Sequence, residues 1–142
     1  MISRLLLALV CCILFASAPR TTHAQTYSSY AFSKQYKVEI TRENLNASPE
    51  WKENEENPPL SARKAIVIAT KLKDKLVKDS VEFKWKLQRA SLTPAVNDKW
   101  YWLVHFDAEF QGGSSGIPNH LRLVVLMDGT AVEPIVKNQH EK

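Results

Sequence analysis

Pro58-Pro59-Leu60-Ser61-Ala62-Arg63-Lys64-Ala65-Ile66-Val67-Ile68-Ala69 is the stretch that decides the fold class. The two prolines block an earlier helix start, and Ser61 can accept a first-turn N–H as N-cap. At about 100° per residue, Ala62, Ala65, Ile68, Ala69, Leu72 and Leu76 then fall on one face. Its three alanines are small enough to let a sheet approach closely. Asp79-Ser80 is the expected end of the helix. Lys64, Lys71, Lys75 and Lys78 form a separate stripe, within about 60° of one another on the helical wheel. Asp74 and Arg63 lie outside that stripe.

Downstream of the helix the period changes from 3.6 to 2. Val81, Phe83, Trp85 and Leu87 alternate with Glu82, Lys84, Lys86 and Gln88. After a turn region over residues 93–98, Trp100, Trp102, Val104, Phe106 and Ala108 share one strand face. The other face carries Tyr101, Leu103, His105, Asp107 and Glu109, passing from apolar to acidic. Residues 111–116 form a glycine-rich connection. Leu121, Leu123, Val125 and Met127 then alternate up to Asp128-Gly129, a hairpin signal. A two-residue turn there pairs Met127 with Thr130, Val125 with Val132 and Leu121 with Val136. Pro134 cannot donate to a ladder, so the last strand is expected at an edge.

Upstream, Tyr36, Val38 and Ile40 alternate with polar residues as a short strand, while residues 25–34 read as a fraying polar segment. Residues 42–59, with three prolines around Trp51, read as a loop with little order. The expected fold is therefore α+β: one amphipathic helix packed on a four- to five-stranded antiparallel sheet, in the order strand, helix, meander.

Arg4 precedes an uncharged, Leu-rich run over residues 5–18, shorter than the ~20 apolar residues a spanning helix needs. Basic start, short apolar stretch and small residues make a secretory signal peptide over residues 1–24, with cleavage expected after Ala24. The alternative cut after Ala18 is blocked by Pro19. The predicted organisation is leader, polar segment with a short strand and a loop (25–58), and helix-plus-sheet domain (59–142). Cleavage removes 24 of the 142 residues, including both cysteines, Arg4 and Arg20. The formal charge falls from +4 to +2. The mature chain then has no thiol, which excludes thiol catalysis and cysteine-based metal binding. A secreted or periplasmic location with no stable membrane span follows, and a net charge of +2 argues against a nucleic-acid partner.

The chain resembles the PepSY and PepSY-like family of small exported or membrane-associated domains. Leu60-Ser61-Ala62-Arg63-Lys64-Ala65, with Ile66 and Ala69, is similar to the family's helix opening. Lys99-Trp100-Tyr101-Trp102-Leu103-Val104 is similar to its central aromatic strand, and Leu126-Met127-Asp128-Gly129-Thr130-Ala131-Val132 to its closing hairpin. The resemblance covers residues 59–136 and leaves residues 36–57 outside. It implies a helix-on-sheet fold, a role outside the cytoplasm and binding or restraint of a peptidase or another envelope protein. It carries over no catalytic residues. The element order also resembles that of cystatins, but the Gln-x-Val-x-Gly wedge of those inhibitors is missing.

His105, Asp107 and Glu109 alternate on one strand face, yet along a strand they spread over about 13 Å, against metal–ligand bonds of ~2.1 Å. That face reads as a solvated sheet end. Ser114 and Ser115 lack the strand-to-helix setting of a nucleophile elbow. No phosphate loop, dinucleotide fingerprint or His-Glu-x-x-His is present. Catalytic, cofactor and metal residues are thus expected to be none. Trp85, Trp100 and Trp102 could form a stacking platform but read as core. A non-enzymatic binding domain is the leading expectation. A small-ligand or anionic-polymer binder using the lysine stripe or sheet face is the alternative, and a hydrolase the third.

Overall fold

The computed structural model describes residues 23–113 and 119–139. The elements run β1 (His23–Ala31), β2 (Lys34–Thr41), α1 (Arg42–Ala47), α2 (Ala62–Leu76), β3 (Phe83–Pro94), β4 (Trp100–Phe110), β5 (His120–Leu126) and β6 (Ile135–Asn138). The strands form two antiparallel three-stranded sheets, ordered β1-β2-β6 and β3-β4-β5. The class is α+β, but the single four- to five-stranded sheet is replaced by two smaller ones.

Helix α2 starts where its sequence demands. The Ser61 side chain accepts from the Lys64 N–H at 3.4 Å. Ala65 and Ala69 are fully buried, and with Leu72 they pack on Trp102, Val104, Phe106, Leu121, Leu123 and Val125. The expected end at Asp79-Ser80 is corrected: the helix stops at Leu76, because Val77 turns extended (φ −143°) and buries its side chain. Its N–H still donates to the Lys73 carbonyl at 2.8 Å, which closes the last turn.

A bulge between Leu87 and Arg89 explains how β3 keeps one apolar face over so many residues. Leu87 pairs with Phe106 and Ala90 with Val104, so two residues three apart stay on the same side. The strand runs on through Pro94, and Asn97 and Asp98, at φ 55° and 53°, make the turn into β4. Asn and Asp tolerate the left-handed conformation that a tight hairpin requires.

The closing hairpin differs from expectation by one residue. Val125 bridges Ala131, not Val132, and Leu126 N donates to Thr130 O. Gly129, at φ 89°, adds a third residue to the loop, and Asp128 Oδ1 accepts from Thr130 N at 2.8 Å. A glycine in that conformation is the usual third residue of such a turn. Beyond Pro134 the chain leaves β5, and Val136 pairs with Tyr36 of β2 rather than with Leu121. The last strand is an edge, but of the other sheet.

The N-terminal segment also departs from its reading. Residues 25–34 do not fray: β1 pairs with β2 from Gln25↔Ile40 to Ala31↔Lys34. Its inward side holds Tyr27, Ser29 and Ala31, and a serine in the middle hides the alternation from a hydropathy reading. Residues 42–47 form helix α1, which opens on a capping box: Asn44 N donates to Thr41 Oγ1, and Thr41 N donates to Asn44 Oδ1, both at 3.1 Å. Leu45 of α1 joins Val38, Ile40, Tyr101, Val124 and Leu126 in a second core. The β3-β4-β5 sheet is therefore covered on both faces, by α2 on one side and by β1, β2 and α1 on the other.

Candidate functional site

The lysine stripe runs along one flank of α2, between the buried face and the fully outward side that carries Arg63, Val67 and Asp74. Lys64, Lys71 and Lys75 are exposed on the helix, roughly 110° around it from the centre of the Ala65, Ala69 and Leu72 face. At 1.5 Å per residue, Lys64 and Lys75 stand roughly 16 Å apart along the axis. Lys78 is exposed too, but it follows the Val77 cap and so is off the helical wheel. Among the described residues no carboxylate lies within ion-pair distance of these four ammonium groups. The nearest acid on the helix, Asp74, is engaged by Lys73 at 2.6 Å.

Lys73 belongs to neither expected face. Its side chain is nearly buried at the inner edge of the helix, with Nζ 6.0 Å from the centre of the Phe106 ring. An ammonium over an aromatic face is attracted by the ring's negative quadrupole. The Asp74 carboxylate supplies the second partner, so this lysine holds the helix to β4 and leaves the outer row to the other three.

The acidic end of β4 is solvated at Glu109, while Asp107 is partly covered and His105 largely so. His105 is one-fifth exposed at the side chain and sits between Arg89 on β3 and Arg122 on β5. Its Nε2 lies 3.1 Å from Asp107 Oδ1 but off the line of a hydrogen bond. The His105 and His120 rings meet edge to face, 5.8 Å apart. Burial holds the His105 imidazole below its ordinary value of 6.5, Asp107 opposes that, and Arg122, His120 and Arg89 add to it. Glu109 points its charge elsewhere, to Lys86 on β3. Among the described residues no three His, Cys, Asp or Glu side chains are grouped to hold a metal ion.

Two of the three tryptophans of the sheet are core. Trp85 and Trp102 are buried, and Trp102 Nε1 donates to the Leu60 carbonyl at 2.9 Å, just ahead of α2. Trp100 is half-buried and takes the Trp51 ring edge to face at 5.1 Å. Lys99 Nζ donates to Ser48 O at 2.6 Å, and Trp51 N donates to Asp98 O at 2.9 Å. The loop read as disordered is thus stitched to the β3–β4 turn. Ser114, Ser115 and His140 lie outside the described residues, as does nearly all of the expected leader. The expected cut after Ala24 falls within the first residues of β1.

No family model, curated protein or solved structure matches the chain.

Proposed function

We propose that this chain is an exported, non-enzymatic binding domain of PepSY-like type whose partner is an anionic envelope protein docked along the lysine-bearing flank of α2. The observation that carries the reading is the row Lys64, Lys71 and Lys75, extended by Lys78, without acidic partners among the described residues. Lysines on one side of a rigid helix raise the local potential and steer an oppositely charged partner. The helix is held firmly enough for this role, because its inner alanines, Leu72 and Lys73 lock it to the β3-β4-β5 sheet. The PepSY-like reading rests on the residues quoted above over 59–136. Export rests on Arg4 and the apolar run over residues 5–18.

The test replaces Lys64, Lys71, Lys75 and Lys78 by Gln in the full-length chain. Wild type and variant are used to capture proteins from envelope extract, with circular dichroism as the check that both are folded. The proposal expects an acidic protein held by wild type, released by salt and missing from the variant. Identical captured proteins on both would sink it. Capture of a polyanionic polymer in place of protein would favour the alternative use of the same lysines.

A further inference from the structure

The β1–β2 hairpin closes on a two-residue turn whose residues are unusual for the conformation it requires. Phe32 and Ser33 sit at φ 48° and 63°, the left-handed region that a bulky side chain rarely enters. A two-residue hairpin turn sets both positions there and usually takes Asn or Gly, so Phe and Ser must be held by their surroundings. Three separate parts of the chain hold this turn. Phe32 N donates to Asn119 Oδ1 at 2.8 Å, and Gln139 N donates to Ser33 O at 2.9 Å. The Phe32 ring lies edge to face on Phe83 at 5.1 Å and on Trp85 at 6.1 Å.

Beside the turn is a shallow cavity of about 370 Å³, lined by Tyr30, Phe32, Ser33, Asn119, His120 and Gln139 together with Ala31. Tyr30 and Phe32 keep 42% and 43% of their surface exposed, yet both rings are fixed in place. Tyr30 packs on the His120 ring at 6.3 Å, and its hydroxyl accepts from Gln35 Nε2 at 3.1 Å. Fixed, exposed aromatic rings beside amide side chains present an apolar wall and hydrogen-bonding groups to the same ligand. Among the described residues no carboxylate, ammonium or guanidinium lines the cavity.

From this arrangement we propose that the cavity is a binding site for a sugar residue of a neutral glycan. The C–H face of a pyranose would lie against Tyr30 or Phe32. Its hydroxyls would meet the Asn119 and Gln139 amides and the Ser33 hydroxyl, which offer both donors and acceptors. A charged sugar would find no counter-ion there among the described residues. A peptide would find little backbone to pair with, because Phe32 N and Ser33 O are already engaged. The strained turn makes sense in this setting, since it sets the Phe32 ring at the rim before any ligand arrives.

The experiment is calorimetric titration of the full-length chain with three uncharged tetrasaccharides: a β-linked glucose tetramer, an α-linked glucose tetramer and a β-linked N-acetylglucosamine tetramer. Tetra-alanine is the peptide control. At least one sugar should bind with a millimolar or tighter Kd. Tyr30→Ala should weaken it about tenfold, the loss expected for one aromatic contact and its buried area. Gln139→Ala, at a residue outside both hydrophobic cores, should weaken it roughly three- to tenfold through lost hydrogen bonds. Replacement of the four outer lysines by Gln should leave it unchanged. Absence of binding for all three sugars at about 10 mM overturns the proposal. So does sugar binding that survives both variants, or binding of tetra-alanine in preference to the sugars.

Discussion

The Tyr27 and Tyr101 hydroxyls meet at 2.7 Å across the interface between the two sheets. Tyr101 donates onward to Gln25 Oε1, so its hydroxyl joins β4 to two residues of β1. Tyr101 is fully buried, and loss of its hydroxyl would leave the half-buried Tyr27 hydroxyl short of a partner, while the exposed Gln25 can turn to water. Tyr101→Phe should therefore destabilise the chain by about 0.5–1.5 kcal/mol, measured by urea unfolding. Alkali gives a second readout. Burial, and then the Tyr27 hydrogen bond and charge, hold the Tyr101 phenol above its ordinary value of 10.0. Its contribution is complete below about pH 10 and is lost above it, because the unfolded chain ionises first. The variant should show a shallower loss of stability above that pH.

His105 gives the opposite slope at the acid end. Its imidazole is held below 6.5 chiefly by burial, against the pull of Asp107 and with help from Arg122, His120 and Arg89. Above about pH 6.5 both folded and unfolded chains carry it neutral. Below that the unfolded chain takes up a proton that the folded chain resists, so stability falls as pH falls toward the lowered native value. His105→Gln removes the titration. Thermal melts between about pH 7 and pH 5 should show a flatter decline for the variant than for wild type. Parallel declines would mean that other groups control the acid limb.

At Ser33 the backbone conformation itself can be tested. The residue sits at φ 63°, and the hydrogen bond it accepts from Gln139 N uses its main-chain oxygen. Ser33→Gly keeps that bond and removes the clash that an L side chain makes in the left-handed region. Part of the gain is offset by the greater freedom of an unfolded glycine. A net stabilisation of up to about 1 kcal/mol is expected in urea unfolding. Phe32→Gly should lower stability instead, since it also removes the ring from Phe83 and Trp85. The contrast separates strain from packing within one turn.

The parts of the fold that were legible in the sequence are those with strong period and caps. Ser61, the alanine face of α2 and the Trp102-Val104-Phe106 strand face all follow from spacing and size. Register and partner choice were not legible, because they depend on single backbone angles. Gly129 at φ 89° shifts the closing hairpin by one residue, and the β6 strand crosses to β2. Nothing in the composition of Ile135–Asn138 distinguishes those two partners. β1 was hidden because Ser29, though fully buried, is polar; its hydroxyl instead accepts from Arg122 N of β5 at 3.2 Å. The lysine row was legible down to Lys75, and Lys78 left it when Val77 turned inward. The cavity beside Phe32 was invisible for a related reason: its walls come from residues 30–33, 119–120 and 139, which only the two-sheet arrangement brings together.

Trp85 and Trp102 allow a comparison in which burial is matched and hydrogen bonding is not. Both are 8% exposed and both belong to the core between α2 and its sheet. Trp102 Nε1 donates to Leu60 O at 2.9 Å, while Trp85 Nε1 is buried without an acceptor among the described residues. Replacement by Phe removes a similar volume in each case, so the cavity cost should be similar. The Trp102 change additionally strands the Leu60 carbonyl, whereas the Trp85 change relieves an unpaired donor. Trp102→Phe should therefore cost about 1–3 kcal/mol more than Trp85→Phe in urea unfolding. Hydrogen exchange should show where the difference lies, with the first turn of α2 opening more readily in the Trp102 variant. Equal costs for the two would mean that water satisfies the Trp85 indole, or that the Leu60 bond adds nothing to the helix start.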